Sequence, residues 1–125
     1  MKNKITERIL IYDNPNKNFI FICSPYRGNI PKNEAVAQRI CRAAVKMGYI
    51  PIAPHLYFTQ FLDDENENER DKGISLGLQM LDLCSELWIV GDYITHGMQT
   101  EINHARQLNK TIKFVPENLC AERKG

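Results

Sequence analysis

The chain has 125 residues, enough for one domain around one core. Its 43% hydrophobic and 25% charged content is that of an ordinary globular protein, and a net charge of +1 excludes the broad basic surface that a nucleic-acid polymer or an anionic membrane requires. No run approaches the roughly 18 apolar residues that span a bilayer, and the charged start Met1 to Arg8 lacks an apolar signal core, so a cytoplasmic protein is expected.

In chain order, Ile9 to Tyr12 offers an optional strand before the turn-rich Asp13-Asn14-Pro15-Asn16. Phe19 to Cys23 (FIFIC) is an apolar run closed by Ser24-Pro25, the mark of a strand buried on both faces. Asn33 to Met47 places Val36, Ile40, Ala44 and Met47 at helical spacing, and Gly48 ends the helix. Ile50 to Ala53 is a second strand closed by Pro54. Asp63 to Glu69 reads as an exposed acidic loop, after a short amphipathic turn with Phe58, Phe61 and Leu62. Ile74 to Cys84 predicts a helix, Leu87 to Val90 (LWIV) a strand, Met98 to Leu108 a helix and Thr111 to Val115 a strand. The polar tail, 116–125, is expected to be loosely held. Cys23, Cys41, Cys84 and Cys120 show no C-x-x-C pair, and reduced thiols are expected rather than disulfides or zinc. No metal or cofactor is expected.

Strands alternating with helices predict a flavodoxin- or Rossmann-like three-layer sandwich, with a parallel sheet of four or five strands in one domain, 1–125, whose core is about 19–115. Ligands of such sheets bind beyond the carboxyl ends of the strands. Two loops there carry polar residues. Ser24-Pro25-Tyr26-Arg27-Gly28-Asn29 combines a hydroxyl, a guanidinium and a glycine before a helix start, a set suited to an anion or equally to an ordinary turn. Thr95-His96-Gly97 leads into a helix whose inward stripe is Met98, Glu101, Ile102, Ala105 and Leu108. A carboxylate in that stripe is either paired with a cation or used chemically. His55 and Asp92 follow the second and third strands and point at the same edge. The helix from Ile74 also carries a second stripe, Leu76, Met80 and Leu83, with Gly73 and Gly77 offering close approach; a homodimer or higher homo-oligomer is expected to cover it.

The Ser24-to-Gly28 turn, Trp88-Ile89-Val90, Thr95-x-Gly97-x-x-x-Glu101-Ile102-x-x-Ala105 and Lys110-Thr111-Ile112 together resemble the nucleoside 2-deoxyribosyltransferase superfamily, over Phe19 to Val115. Within it the chain is similar to small bacterial and phage domains related to deoxynucleoside 5′-monophosphate N-glycosidases. The resemblance implies a flavodoxin-like fold and cleavage or transfer at an N-glycosidic bond, with Glu101 as nucleophile. It implies a small nucleoside or nucleotide as partner, held by Ser24, Tyr26, Arg27, Gly28, Asn29, His55, Thr95, Gly97 and Met98. Thr95 stands where the transferases carry a sugar-binding aspartate and the hydrolases a hydroxyl, which implies a phosphorylated ligand. Asn103 replaces a glycine usual in the family, and the family's second aspartate has no counterpart in register within Gly73 to Leu81. Asp71 and Asp82 flank that stretch, and Asp92 is the alternative taken for the second carboxylate. The other reading is a module that binds a nucleotide without chemistry.

Overall fold

The computed structural model describes residues 18–120. Four strands, β1 (Phe19–Cys23), β2 (Ile50–Ile52), β3 (Glu86–Val90) and β4 (Thr111–Val115), form one sheet in the order β2-β1-β3-β4. Every neighbouring pair is parallel. The optional strand Ile9 to Tyr12 lies outside the described residues.

The two apolar runs FIFIC and ELWIV sit side by side in the centre, which explains why neither alternates in polarity. Ile50-Pro51-Ile52 lies at one edge, where a strand tolerates a proline that cannot donate to the ladder. At the other edge β4 leaves Phe114 exposed.

Helices cover both faces. Helix α1 (Ile30–Lys46) packs Val36, Ile40 and Ala44 against Ile20, Ile22, Trp88 and Val90. Helices α3 (Glu67–Asp82) and α4 (His96–Gln107) cover the opposite face with Leu81, Met98, Ile102 and Ala105 against Phe21, Cys23, Leu87 and Ile89. A short helix α2 (Pro54–Tyr57) and a 3₁₀ turn (Phe58–Gln60) join β2 to α3. This is the three-layer sandwich the alternation predicts.

Several boundaries move, each for a capping reason. Helix α1 begins before Asn33 because Asn29 caps it, its side chain accepting from the Lys32 N–H at 3.2 Å, with Pro31 in the first turn. Helix α3 begins at Glu67, inside the stretch expected to be an acidic loop. Asn66 accepts from the Glu69 N–H at 3.0 Å, and Glu67 and Glu69 complement the helix N-terminus. Helix α4 begins at His96, capped by Thr95, and the Met98 sulfur takes the place usual for a glutamate in the reciprocal capping bond.

The tail is a correction as far as Cys120. Arg39 Nη1 donates to the Glu117 carbonyl at 2.9 Å, Lys32 approaches the Glu117 carboxylate at 3.7 Å, and Leu119 packs on the α1 side of the core. The stripes of α3 also differ from expectation. Leu81 is fully buried and Leu78 packs on the core, but Ile74 is exposed, and of the second stripe only Leu83 is largely exposed. Gly73 and Gly77 are used within the chain. A Cβ on Gly77 would stand 3.4 Å from Pro54, and one on Gly73 would stand 3.5 Å from Leu62. Either Cβ would make ordinary van der Waals contact, so these positions pack on the Pro54-to-Leu62 segment without requiring glycine. All four cysteines are free, Cys23 and Cys84 buried and Cys120 exposed.

Candidate functional site

After β1 the chain turns to one face of the sheet and after β3 to the other, so their carboxyl ends part and leave a crevice. A cleft of about 300 Å³ opens there, at the small end of the range for ligand sites. The β1–α1 loop supplies Ser24, Tyr26 and Arg27, α2 supplies His55, and the start of α4 supplies Thr95, Gly97, Met98 and Glu101. These candidates, scattered over the sequence, converge. Gly28, Asn29 and Asp92 do not line the cleft. Gly28 makes the turn at φ +104°, Asn29 is spent on capping α1, and Asp92 is exposed beyond β3. Asp71 is also exposed and off the cleft, while Asp82 holds His104 Nε2 at 2.8 Å.

Glu101 is the anomaly of the site. It faces the cleft from an otherwise apolar stripe, and no cation pairs with it among the described residues. Burial pushes its carboxyl up to about 7, an effect that a hydrogen bond from the Cys23 thiol only partly offsets. Burial, reinforced by the neighbouring Glu101 charge, in turn pushes the Cys23 thiol far above its ordinary range. Cys23 Sγ also lies 3.7 Å from the Met98 carbonyl oxygen, tying the end of β1 to the first turn of α4.

Opposite the helix start, Ser24 Oγ and His55 Nε2 lie 3.1 Å apart and share a hydrogen. Burial lowers the His55 pKa to about 4, so the imidazole is neutral near pH 7. Tyr26 meets the same ring edge-on, the centroids 5.9 Å apart. Together they form a neutral polar wall able to hydrogen-bond hydroxyls. The first turn of α4, where N–H groups have no partner within the helix, lines the same crevice at His96 and Gly97.

The sequence reading missed the third wall. Phe58, Thr59, Leu62 and Asp64, and from α3 Glu69, Arg70, Gly73, Ile74 and Gly77, line the remaining side. The pair Gly73 and Gly77, one turn apart on α3, is the signal the sequence offers for this wall, and in sequence it also fits a contact with a second subunit. Arg27, expected to face an anion, is bound to this wall. Its Nε donates to Asp64 Oδ2 and its Nη2 to the Asp64 carbonyl, both at 2.7 Å. No cluster that could hold a metal occurs among the described residues, and no helix among them is long and apolar enough to cross a membrane.

The solved structures include a fold-level neighbour, the 2-deoxyribosyltransferase of the psychrotolerant bacterium Bacillus psychrosaccharolyticus, described as a biocatalyst for synthesis of antiviral and antitumoral nucleosides. The two superpose with a TM-score of 0.66 over 86% of this chain and 77% of that one, at 13% identity. That likeness shows a common fold. No curated protein matches the sequence. One family profile does match, over residues 18–115, from the strand that opens the sheet to the strand that closes it, and the chain belongs to that family, described as a domain of unknown function (DUF7768).

Proposed function

We propose that this protein cleaves or transfers at the N-glycosidic bond of a nucleoside 5′-monophosphate, with Glu101 as the nucleophile. The observation that carries the reading is a largely desolvated carboxylate, with no cation beside it among the described residues, lining a cleft of about 300 Å³ at the switch point of the sheet. The resemblance to the deoxyribosyltransferase superfamily supports it, and so does the fold shared with a 2-deoxyribosyltransferase.

In the proposed reaction the ionised Glu101 adds to the anomeric carbon as the carbon–nitrogen bond breaks, and the bonding pair leaves with the base, which takes its proton from water. Water then opens the glycosyl ester, or the nitrogen of a second base does so, and free Glu101 returns. Thr95 fixes the start of α4 and so the height of Glu101 above the sheet. Ser24, His55 and Tyr26 hold the sugar, and Phe58 and Leu62 offer an apolar surface to the base. Arg27 reaches an anion only through donors that Asp64 leaves free.

A specific observation favours a second reading, a nucleotide-binding module without chemistry. The other carboxylates of the cleft are engaged, Asp64 by Arg27 and Glu69 by the Asp63 N–H at 2.6 Å, so no second free carboxylate stands beside Glu101. Chromatography after incubation with the deoxynucleosides, ribonucleosides and their 5′-monophosphates separates the two. Release of free base supports the glycosidase. Saturable binding of a monophosphate with no base released overturns it and leaves the binding module.

A further inference from the structure

Arg70 stands in the opening turns of α3 with its side chain on the cleft. The residue is half-buried, and among the described residues its guanidinium forms no ion pair. Its side chain makes one hydrogen bond, from Nη1 to the Asp64 carbonyl oxygen at 3.4 Å, long for a bond of this kind. The same oxygen already accepts Arg27 Nη2 at 2.7 Å. Two guanidinium groups therefore crowd one neutral acceptor at the rim of the cleft.

The carboxylates on this wall do not settle the balance. Asp64 is taken by Arg27 Nε, and Glu69 Oε1 accepts from a backbone N–H. Asp64 neutralises one guanidinium and leaves Arg70 facing the cleft with most of its donors unused. A guanidinium fork fits a phosphoryl group in a bidentate manner, and partial burial strengthens such a contact over the same pair in open water.

We propose that Arg70 is the residue that selects a phosphoryl group on the ligand, with Arg27 beside it and Asp64 holding Arg27 in place. This deepens the reading of the cleft as a nucleotide site and rests on it. A phosphate between α3 and the β1–α1 loop would lie on a wall separate from the α4 carboxylate, which keeps two negative groups apart.

Isothermal titration calorimetry tests this with the parent, Arg70→Gln and Arg70→Lys, using the four deoxynucleosides, their 5′-monophosphates and inorganic phosphate. Far-UV circular dichroism checks that each variant is folded. The parent is expected to prefer the monophosphate over its nucleoside by about ten- to a hundredfold. Arg70→Gln should bring that ratio close to one, and Arg70→Lys should restore part of it. A ratio unchanged in Arg70→Gln, or a parent with no preference, overturns the assignment. Inorganic phosphate binding as tightly as the monophosphate would overturn the nucleotide as its source. Base release, followed on the same samples, keeps the two readings apart. A phosphate preference that depends on Arg70 with no base released sinks the glycosidase and leaves Arg70 standing. Base release indifferent to phosphate and to Arg70→Gln does the reverse.

Discussion

Replacing Glu101 by glutamine separates its proposed chemical role from its structural cost. The amide keeps the shape and can still accept from Cys23, but it cannot ionise. In the parent, burial raises the carboxyl from 4.5 to about 7. An acid whose pKa is higher in the folded state keeps its proton longer there than in the unfolded chain. The folded state is therefore undiminished below pH 4.5, loses stability as pH climbs through about 7, and loses no more above it. A shift of this size corresponds to up to about 3 kcal/mol. Glu101→Gln carries no such penalty, so its stability relative to the parent should be close to zero at about pH 4.5 and grow by up to about 3 kcal/mol at about pH 8. Urea unfolding of both proteins at the two pH values reads this directly. Base release should fall by several orders of magnitude at every pH, and in the parent it should rise with pH through about 7, where the carboxylate forms. Wild-type turnover in the variant would refute the nucleophile. A stability difference flat from pH 4.5 to pH 8 would refute the buried, unpaired carboxyl.

His55 should show the opposite slope. Its pKa is lowered from 6.5 to about 4 by burial, so stability present above pH 6.5 is lost as pH falls through about 4, by up to about 3 kcal/mol; His55→Gln should remove that slope from a urea series between pH 7 and 4, and a parallel loss in the variant would rule the account out. Asp64→Asn should release the third wall from Arg27, seen as faster amide hydrogen exchange in residues 61–66, and an unchanged exchange pattern would show that the ion pair does not hold that wall. If α3 associates with a second copy, the exposed Leu83 is the position to change: Leu83→Glu should turn a sedimenting dimer into a monomer, and a parent already monomeric at micromolar concentration refutes the association.

The sheet was legible because its central strands are buried on both faces. FIFIC and LWIV have no alternation to confuse with a helix of that length, and each is closed by residues that cannot continue it. The starts of α1 and α3 were not legible from apolar periodicity, since both open with polar turns. There the asparagine caps, Asn29 and Asn66, were the better signal, and the acidic run after Asn66 is what a helix N-terminus favours. The hold on the tail was not legible because Glu117 is fixed through its backbone carbonyl, a group every sequence carries, and polarity alone does not distinguish a held segment from a free one.

The site divides the same way. Ser24, Thr95 and Glu101 were legible because they sit at fixed offsets from a strand end or along a helix, and parallel topology carries all strand ends to one edge. The partner of Arg27 was not legible, because Asp64 is 37 residues away and reaches it only through the path of the segment between β2 and α3. That segment is the part of the cleft the fold leaves open. The walls from β1 and α4 follow from the order of strands. The wall from Pro54 to Gly77 is set by this chain's own details: Pro54 and Leu62 packed on α3 at Gly77 and Gly73, an ion pair that ties Arg27 to Asp64, and Arg70 on the cleft with no ion pair of its own among the described residues. Fold fixes where a ligand sits and wall chemistry decides which ligand it is. On the reading proposed above, the choice of ligand is therefore to be sought on α3, in the first instance at Arg70, while the proposed role of Glu101 is to decide whether anything happens to it.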